Sequence, residues 1–416
     1  MSTATQHTSR EQFSSNLERR HRVGRIWFLL FQASMVVGIV ALTVLLLNIA
    51  NSSFGYVAFH YGNPPEEFVG EGVDIEAAPK EDLIAILQDN ISPGLFARFE
   101  SERSFSSRSQ ANVYDLVLDY VLVPEIDAQW SLLQSLNQRD EIQAQVGAEF
   151  PDSIVEFQSW VDYDFIRSPQ SSFVEIAGVR TAIFGSLWTI GIAILFAFPI
   201  GVGAAIYLEE YAGDSLINRV IRTNINNLAG VPSIIYGILG LAIFVRALEP
   251  FTSGSVFGIG DPTTSNGRTI LSAGLTLGLL VLPLIIINAQ EAIRAVPSSL
   301  RQASYGIGAT RWQTTWNHVL PVAMPGIMTG TILAISRAIG ETAPLVVIGA
   351  STFIQVDPDG PFSKFTTLPI QIFQWTARPQ NVFRNLAAAA SLTLLGLLLS
   401  LNASAILMRN RFRRRL

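Results

Sequence analysis

The sequence has 416 residues, of which 49% are hydrophobic and 15% charged, with 28 Lys and Arg against 33 Asp and Glu. This composition and its long uncharged runs are typical of an integral membrane protein, not of a soluble enzyme. The absence of cysteine excludes disulfides, thiolate metal sites and cysteine nucleophiles. Neither of the two lysines follows a glycine, which excludes an ordinary P-loop. Any ATP hydrolysis is therefore left to another chain.

The N-terminal tail, residues 1–25, is polar and ends in a cluster of arginines, which predicts that it stays in the cytoplasm. The apolar run at 26–50 is long enough to span about 30 Å of hydrocarbon at about 1.5 Å per residue. It is longer than the core of an ordinary signal peptide and does not end in a clear cleavage site. We therefore predict a retained first transmembrane helix at 26–50.

The segment 51–178 is strongly acidic, with 22 acidic against 6 basic residues, or a net charge of -16, while the rest of the chain carries +11. Apolar residues recur at helical spacing at 80–90 and 114–123, and the polar stretch 129–148 suggests a helical pair or a mobile arm. The segment is predicted to be a mostly helical, solvated insert without metal-ligand or catalytic spacing.

Five further apolar segments lie at 181–208, 227–248, 269–289, 322–348 and 386–408. Together with the helix at 26–50 they give six predicted transmembrane helices. An even number of spans places both termini on one side of the membrane, and the tail 409–416 is as basic as the N-terminus. We therefore predict an all-α, multi-pass protein with both termini in the cytoplasm and the insert outside.

The fifth predicted helix carries charge beside a stripe of small residues. Gly326, Gly330 and Ala334 recur every four residues, a spacing that lets helix backbones approach closely in lipid. Arg337 and Glu341 are spaced i,i+4, which puts both on one face of a helix. Charge at this depth is costly and usually functional. A permanent salt bridge that fixes helix packing is the alternative.

The polar loop before this helix has a regular spacing. It reads Gln302-Ala303-Ser304, three residues, Gly308, nine residues, His318, then Val319-Leu320-Pro321. This pattern predicts a short helix, a glycine turn and a second helix that ends before the proline. It resembles the EAA loop of binding-protein-dependent ABC importer permeases, which reads Glu-Ala-Ala, three residues, Gly, nine residues, Ile, one residue, Leu-Pro. Gln302, Ser304 and His318 depart from that form.

Two further segments strengthen the resemblance. Residues 227–237, NLAGVPSIIYG, and 336–344, SRAIGETAP, are similar to signature segments of phosphate ABC transporter permeases of the A type. The resemblance implies a type I, MetI-like permease core at 179–408 with a cytoplasmic coupling loop at 290–321. Gly230-Val231-Pro232 is interpreted either as a broken helix that exposes backbone amides to an anion or as an ordinary proline kink.

The resemblance also implies functional residues. A substrate path would include Arg337, Glu341 and Thr342. Coupling to the ATPase is implied for the loop residues Gln302, Ala303, Ser304, Gly308, Ala309, Leu320 and Pro321. The chain itself is predicted to bind no metal or cofactor and to catalyse no reaction, since ATP is used by a partner subunit.

The implied assembly lies in the bacterial inner membrane, surrounded by lipid, and does not bind nucleic acid. Its other members would be a C-type phosphate permease, two ATP-binding subunits and an extracytoplasmic phosphate-binding protein. The alternatives are a permease for another oxyanion such as sulfate or molybdate, a proton-coupled secondary carrier, and a membrane sensor built on the acidic insert. The loop argues against a secondary carrier, which needs no ATPase-docking segment.

Overall fold

The computed structural model describes residues 10–63, 68, 75, 78–102, 104–122, 124–171, 174, 177–259, 266–350, 354 and 356–413. The chain forms two compact units, Met1–Asn51 and Ser52–Leu416. The start of the polar tail and the last three residues, which include the predicted basic positions 414 and 415, lie outside the described residues.

The described part of the first unit is a single helix, α1, which runs over Arg10–Ser53 and so includes the first two residues of the second unit. It contains the helix predicted at 26–50 and continues back into the polar tail. The part from Leu17 to Ser53 is long and apolar enough to cross a membrane.

The acidic segment combines short helices with a small sheet. In chain order its elements are β1 (Phe54–Tyr61), α2 (Lys80–Asn90), α3 (Pro93–Glu102), α4 (Gln110–Val117), β2 (Pro124–Gln129), α5 (Leu132–Asn137), α6 (Arg139–Glu149), β3 (Ile154–Ser159) and α7 (Tyr163–Arg167). The strands form an antiparallel sheet in the order β2-β1-β3. The helix predicted at 80–90 and the helical pair predicted within 129–148 are confirmed, whereas the sheet was not predicted.

The remaining helices form the apolar core of the second unit. They are α8 (Arg180–Ile206), α9 (Leu216–Ala229), α10 (Ser233–Gly240), α11 (Glu249–Thr252), α12 (Ile270–Arg294), α13 (Ser298–Gly306), α14 (Arg311–Thr314), α15 (Leu320–Ile339), α16 (Ala343–Ile348), α17 (Leu368–Thr376) and α18 (Val382–Arg413). π-helical turns extend α8, α10 and α14 over Tyr207–Tyr211, Leu241–Ala247 and Thr315–Val319. Within the described residues five helices are long and apolar enough to cross a membrane, and counting the bent pair α9 and α10 as one span gives six.

Two predicted spans are interrupted. The segment predicted at 227–248 bends by 106° between α9 and α10. The bend lies at Gly230-Val231-Pro232, because the residue before a proline is disfavoured in helical conformation and proline lacks an amide hydrogen. The segment predicted at 322–348 was wrongly read as one helix, since α15 ends at Ile339 and a three-residue link precedes α16.

Helix α12 lies between α8 and α15, and small residues allow both contacts. A Cβ atom on Gly274 would come within 2.6 Å of the Ile192 side chain on α8, and one on Gly278 within 2.7 Å of the Phe196 side chain. On the other side, a Cβ on Gly326 would lie 2.8 Å from the Ala292 Cβ. The small-residue stripe that begins at Gly326 and the four-residue spacing of Gly274 and Gly278 therefore mark close helix contacts.

Two neighbouring glycines on α8 allow a direct test of this packing. A Cβ on Gly201 would lie 2.7 Å from Ile285 Cγ2, while a Cβ on Gly203 meets no atom within 4 Å. We expect Gly201→Leu to destabilise the folded chain by about 1–3 kcal/mol through overpacking. Gly203→Leu should leave stability unchanged or raise it slightly through helix propensity. Thermal unfolding of both variants in detergent measures the difference, and equal melting temperatures would contradict the packing.

The acidic segment is joined to the core helices by a shared hydrophobic cluster. Val57, Trp160 and Phe165 of the segment pack with Trp375 of α17 and Phe383 of α18, all largely buried. The Asn385 side-chain amide also donates a hydrogen bond of 2.6 Å to the Gln129 side-chain oxygen. The segment is therefore an integral part of the second unit, and its removal would expose Trp375.

Candidate functional site

The charged pair predicted for the substrate path lies at the end of α15. Arg337 Nε is 3.3 Å from Glu341 Oε1, and the side chains are 49% and 17% exposed. The pair does not lie on one helical face, as the sequence had suggested, because the helix ends before Glu341. Thr342 is half-buried and its carbonyl accepts the Val346 amide at 3.1 Å, which starts α16. The break in the span thus holds the ion pair of Arg337 and Glu341, and Thr342 follows directly in the chain.

The two signature segments of the sequence meet at this break. Helix α10 packs against α16, and a Cβ on Gly237 would lie 2.6 Å from Pro344 Cα. The Tyr236 hydroxyl donates a 2.7 Å hydrogen bond to the Leu228 carbonyl of α9 across the 106° bend. The arrangement places two interrupted spans side by side, with one cation and one carboxylate next to their contact.

The predicted coupling loop forms two helices joined by a tight turn. Gln302 and Ala303 are exposed on α13, while the buried Ser304 hydroxyl lies 2.8 Å from the Thr314 hydroxyl on α14. Gly308 has a φ of 85°. A residue with a side chain rarely adopts this left-handed conformation, which explains glycine at that position. The neighbouring Ala309 amide donates to the Ser304 carbonyl at 3.2 Å and closes the turn.

The second helix of the loop does not end before Pro321, contrary to the prediction. From Arg311 the chain is helical through the π turn Thr315–Val319 and on to Ile339. Proline clashes with the carbonyl four residues earlier in a regular α-helix, and the wider π turn relieves that clash. Leu320 is largely buried and Pro321 half-buried, so this end of the motif connects the loop rigidly to α15.

The loop presents exposed apolar side chains. Ile307, at the turn, is 84% exposed, and Trp312 and Trp316 stack with their ring centroids 5.4 Å apart while both remain more than half exposed. Apolar side chains concentrated at an exposed turn are characteristic of a surface that binds another protein.

Two carboxylates that the sequence analysis did not assign lie under this loop. Glu209 and Glu210, hereafter the acidic pair, stand in the π turn after α8, with side chains 11% and 5% exposed. Each forms an ion pair with arginines from other elements, at 2.6–2.8 Å. The sequence does contain a signal for this cluster. Two adjacent carboxylates stand at the end of an apolar span, and arginine-bearing loops follow on the same predicted side of the membrane.

The chain matches one family model and is similar in sequence to known membrane transport proteins. A family model described as a binding-protein-dependent transport system inner membrane component matches residues 197–416. The chain is 35% identical over 233 residues, 56% of its length and 70% of the relative's, to the phosphate transport system permease protein PstA 1 of Mycobacterium tuberculosis (strain CDC 1551 / Oshkosh). It is 33% identical over 212 residues, 47% of its length and 62% of the relative's, to the phosphate transport system permease protein PstC of Pasteurella multocida (strain Pm70).

A solved structure of the inward-facing MetNI methionine ABC transporter, in its CY5 native crystal form, is 19% identical to the chain with a TM-score of 0.40. The match covers 57% of this chain and 96% of the other. The residues matched by the family model, 197–416, include the acidic pair, both interrupted spans and the exposed loop.

Proposed function

The chain belongs to the family of binding-protein-dependent transport system inner membrane components, and from this premise we propose that it is a permease subunit of an ATP-driven importer of inorganic phosphate. The assignment of phosphate as the substrate rests on the identity of 35% to a phosphate permease over 70% of that relative's length. The charged break at Gly340, where Arg337 lies within the apolar part of the chain, supports it physically.

Arginine suits the passage of phosphate through a region of low dielectric constant. Its planar guanidinium stays protonated and can donate two parallel hydrogen bonds to two phosphate oxygens. The Arg337 side chain is 49% exposed, so it is accessible to an anion, while Glu341 is close enough at 3.3 Å to neutralise it when no anion is bound. Phosphate and Glu341 would thus alternate as partners of Arg337.

The exposed loop would dock onto the ATPase. Because no Gly-Lys pair occurs in the sequence, the nucleotide is bound by a separate subunit. Ile307 and the Gly308 turn form the most prominent contact, and Gln302 and Ala303 present an exposed flank beside them. The similarity to a PstC protein supports a second, related permease as the other half of the path, with two ATPase subunits and a phosphate-binding protein completing the importer.

The proposed topology follows the distribution of charge. Both basic termini and the loop 290–321 lie in the cytoplasm, and the acidic segment 51–178 lies on the outer side of a bacterial inner membrane. The permease core then comprises residues 179–408, preceded by the first span at 26–50. In this orientation the acidic segment faces the compartment from which phosphate enters.

Uptake of labelled phosphate in cells that lack their own high-affinity phosphate permease tests the proposal. The cells are supplied with the partner subunits and either this chain or an empty vector. We expect energy-dependent uptake only with the chain, and undiminished uptake in the presence of excess sulfate. Competition by sulfate or molybdate would assign the chain to another oxyanion, and no uptake despite assembly of all subunits would refute the phosphate function.

A further inference from the structure

The acidic pair connects four helical elements at the end of α8. Glu209 accepts hydrogen bonds from Arg222 of α9 at 2.6 Å, and from Arg294 and Gln290 of α12 at 2.8 and 3.0 Å. Glu210 accepts from Arg301 of α13 through Nη2 at 2.7 Å and Nε at 3.1 Å. Both carboxylates are largely buried, so these contacts are sheltered from screening by solvent ions.

Arg301 is the connection between the docking helix and the membrane core. Besides its two bonds to Glu210, it donates to the carbonyl of Ile293 at 2.8 Å and to that of Val296 at 2.7 Å. These carbonyls belong to the C-terminal end of α12 and the turn that follows, where a helix leaves carbonyl groups without intrahelical partners. One side chain of α13 therefore holds the ends of both α8 and α12.

Glu209 connects the end of α8 to the interrupted span formed by α9 and α10. Arg222, which binds Glu209, also donates to the Leu208 carbonyl and lies on α9. Helix α9 leads through the 106° bend to α10, which packs against α16 directly after Arg337, Glu341 and Thr342. A continuous set of packed elements thus runs from α13 to the charged break.

We propose that Glu209 and Glu210 are positioning residues that transmit movement of the docking helix α13 to α8 and α9, and through them to the break that holds Arg337. The proposal rests on the proposed function, in which the ATPase binds the loop. Because the contacts of Glu210 and Arg301 connect α13 to two core helices at once, a displacement of α13 has to move those helices or break the ion pair. Glu209 extends the coupling to α9, the helix on the N-terminal side of the 106° bend.

The experiment compares Glu210→Gln with Asp214→Asn in the complete importer, reconstituted in vesicles with its binding protein. Asp214 pairs with Arg219 at 3.2 Å on the same end of the molecule, but both side chains are highly exposed, so this pair contributes little and serves as the matched control. Phosphate uptake and ATP hydrolysis are measured on the same vesicles. We expect Glu210→Gln to lower the phosphate transported per ATP hydrolysed by at least about fivefold, with the ATPase still bound, and Asp214→Asn to leave it unchanged.

Arg301→Lys provides a second variant should Glu210→Gln fold poorly. Lysine keeps the charge for Glu210 but cannot reach the carboxylate and both carbonyls at once, so we expect an intermediate loss of coupling. An unchanged ratio of transport to hydrolysis in properly assembled variants would overturn the proposal. Native vesicles that hydrolyse ATP without taking up phosphate would instead refute the phosphate function itself.

Discussion

Arg337→Gln is expected to reduce phosphate uptake by at least about 100-fold, because the two-pronged contact of a guanidinium with phosphate contributes about 3 kcal/mol. Arg337→Lys keeps the positive charge but loses the planar fork, and we expect a loss of about tenfold. Arg337 is 49% exposed, so both variants should insert and assemble normally. Labelled phosphate uptake, normalised to the amount of assembled complex, measures the effect.

The double variant Arg337→Gln/Glu341→Gln distinguishes an anion path from a structural ion pair. Two glutamines can replace the 3.3 Å ion pair with a neutral hydrogen bond and leave no unpaired charge. If the pair only fixes helix packing, the double variant restores transport that the single variant has lost. The proposed path predicts that both are equally inactive, since neither carries a cation for phosphate.

Ile307→Asp is expected to weaken binding of the ATPase to the permease by more than about 100-fold. Ile307 is 84% exposed, so its replacement does not disturb the fold of the chain itself. In the complex, however, an unpaired carboxylate would be buried in the contact, at a cost of several kcal/mol. Co-purification of the ATPase with the permease in detergent, at a series of ATPase concentrations, measures the loss.

Gln302→Glu is the control for this variant. It adds the same negative charge at an exposed position of the same loop, on α13, and introduces the residue with which the EAA pattern begins. Normal ATPase binding by Gln302→Glu together with lost binding by Ile307→Asp assigns the effect to the apolar contact at the turn. Equal binding by both variants would show that the ATPase does not contact this face.

Hydropathy predicted most of the membrane helices but not where they break. The runs at 181–208, 269–289 and 386–408 coincide with α8, α12 and α18 because an uncharged apolar run of that length has few alternatives to a spanning helix. The break at Gly340 was missed because glycine is common within membrane helices, and only its packing environment distinguishes a helix end from a helix interior. A bend before Pro232 was expected from both interpretations of the segment, a broken helix or a proline kink, since proline itself indicates it.

Contacts between residues that lie far apart in the sequence were not predicted. Glu210 and Arg301 are 91 residues apart, and Glu209 and Arg294 are 85 apart, so no local spacing could pair them. The sheet was missed for the same reason, because β1 pairs with strands far along the chain and begins where α1 ends. Arg337 and Glu341, four residues apart, were paired in advance because short spacing leaves few other partners.

Phosphate transport by the purified assembly is the most direct test of the account. The chain is reconstituted in vesicles with a C-type permease, the ATPase subunits enclosed with ATP, and the phosphate-binding protein outside. We predict ATP-dependent accumulation of labelled phosphate that persists in excess sulfate and that disappears when this chain is replaced by Arg337→Gln. Accumulation of sulfate in place of phosphate, or ATP hydrolysis without any anion uptake, would contradict the account.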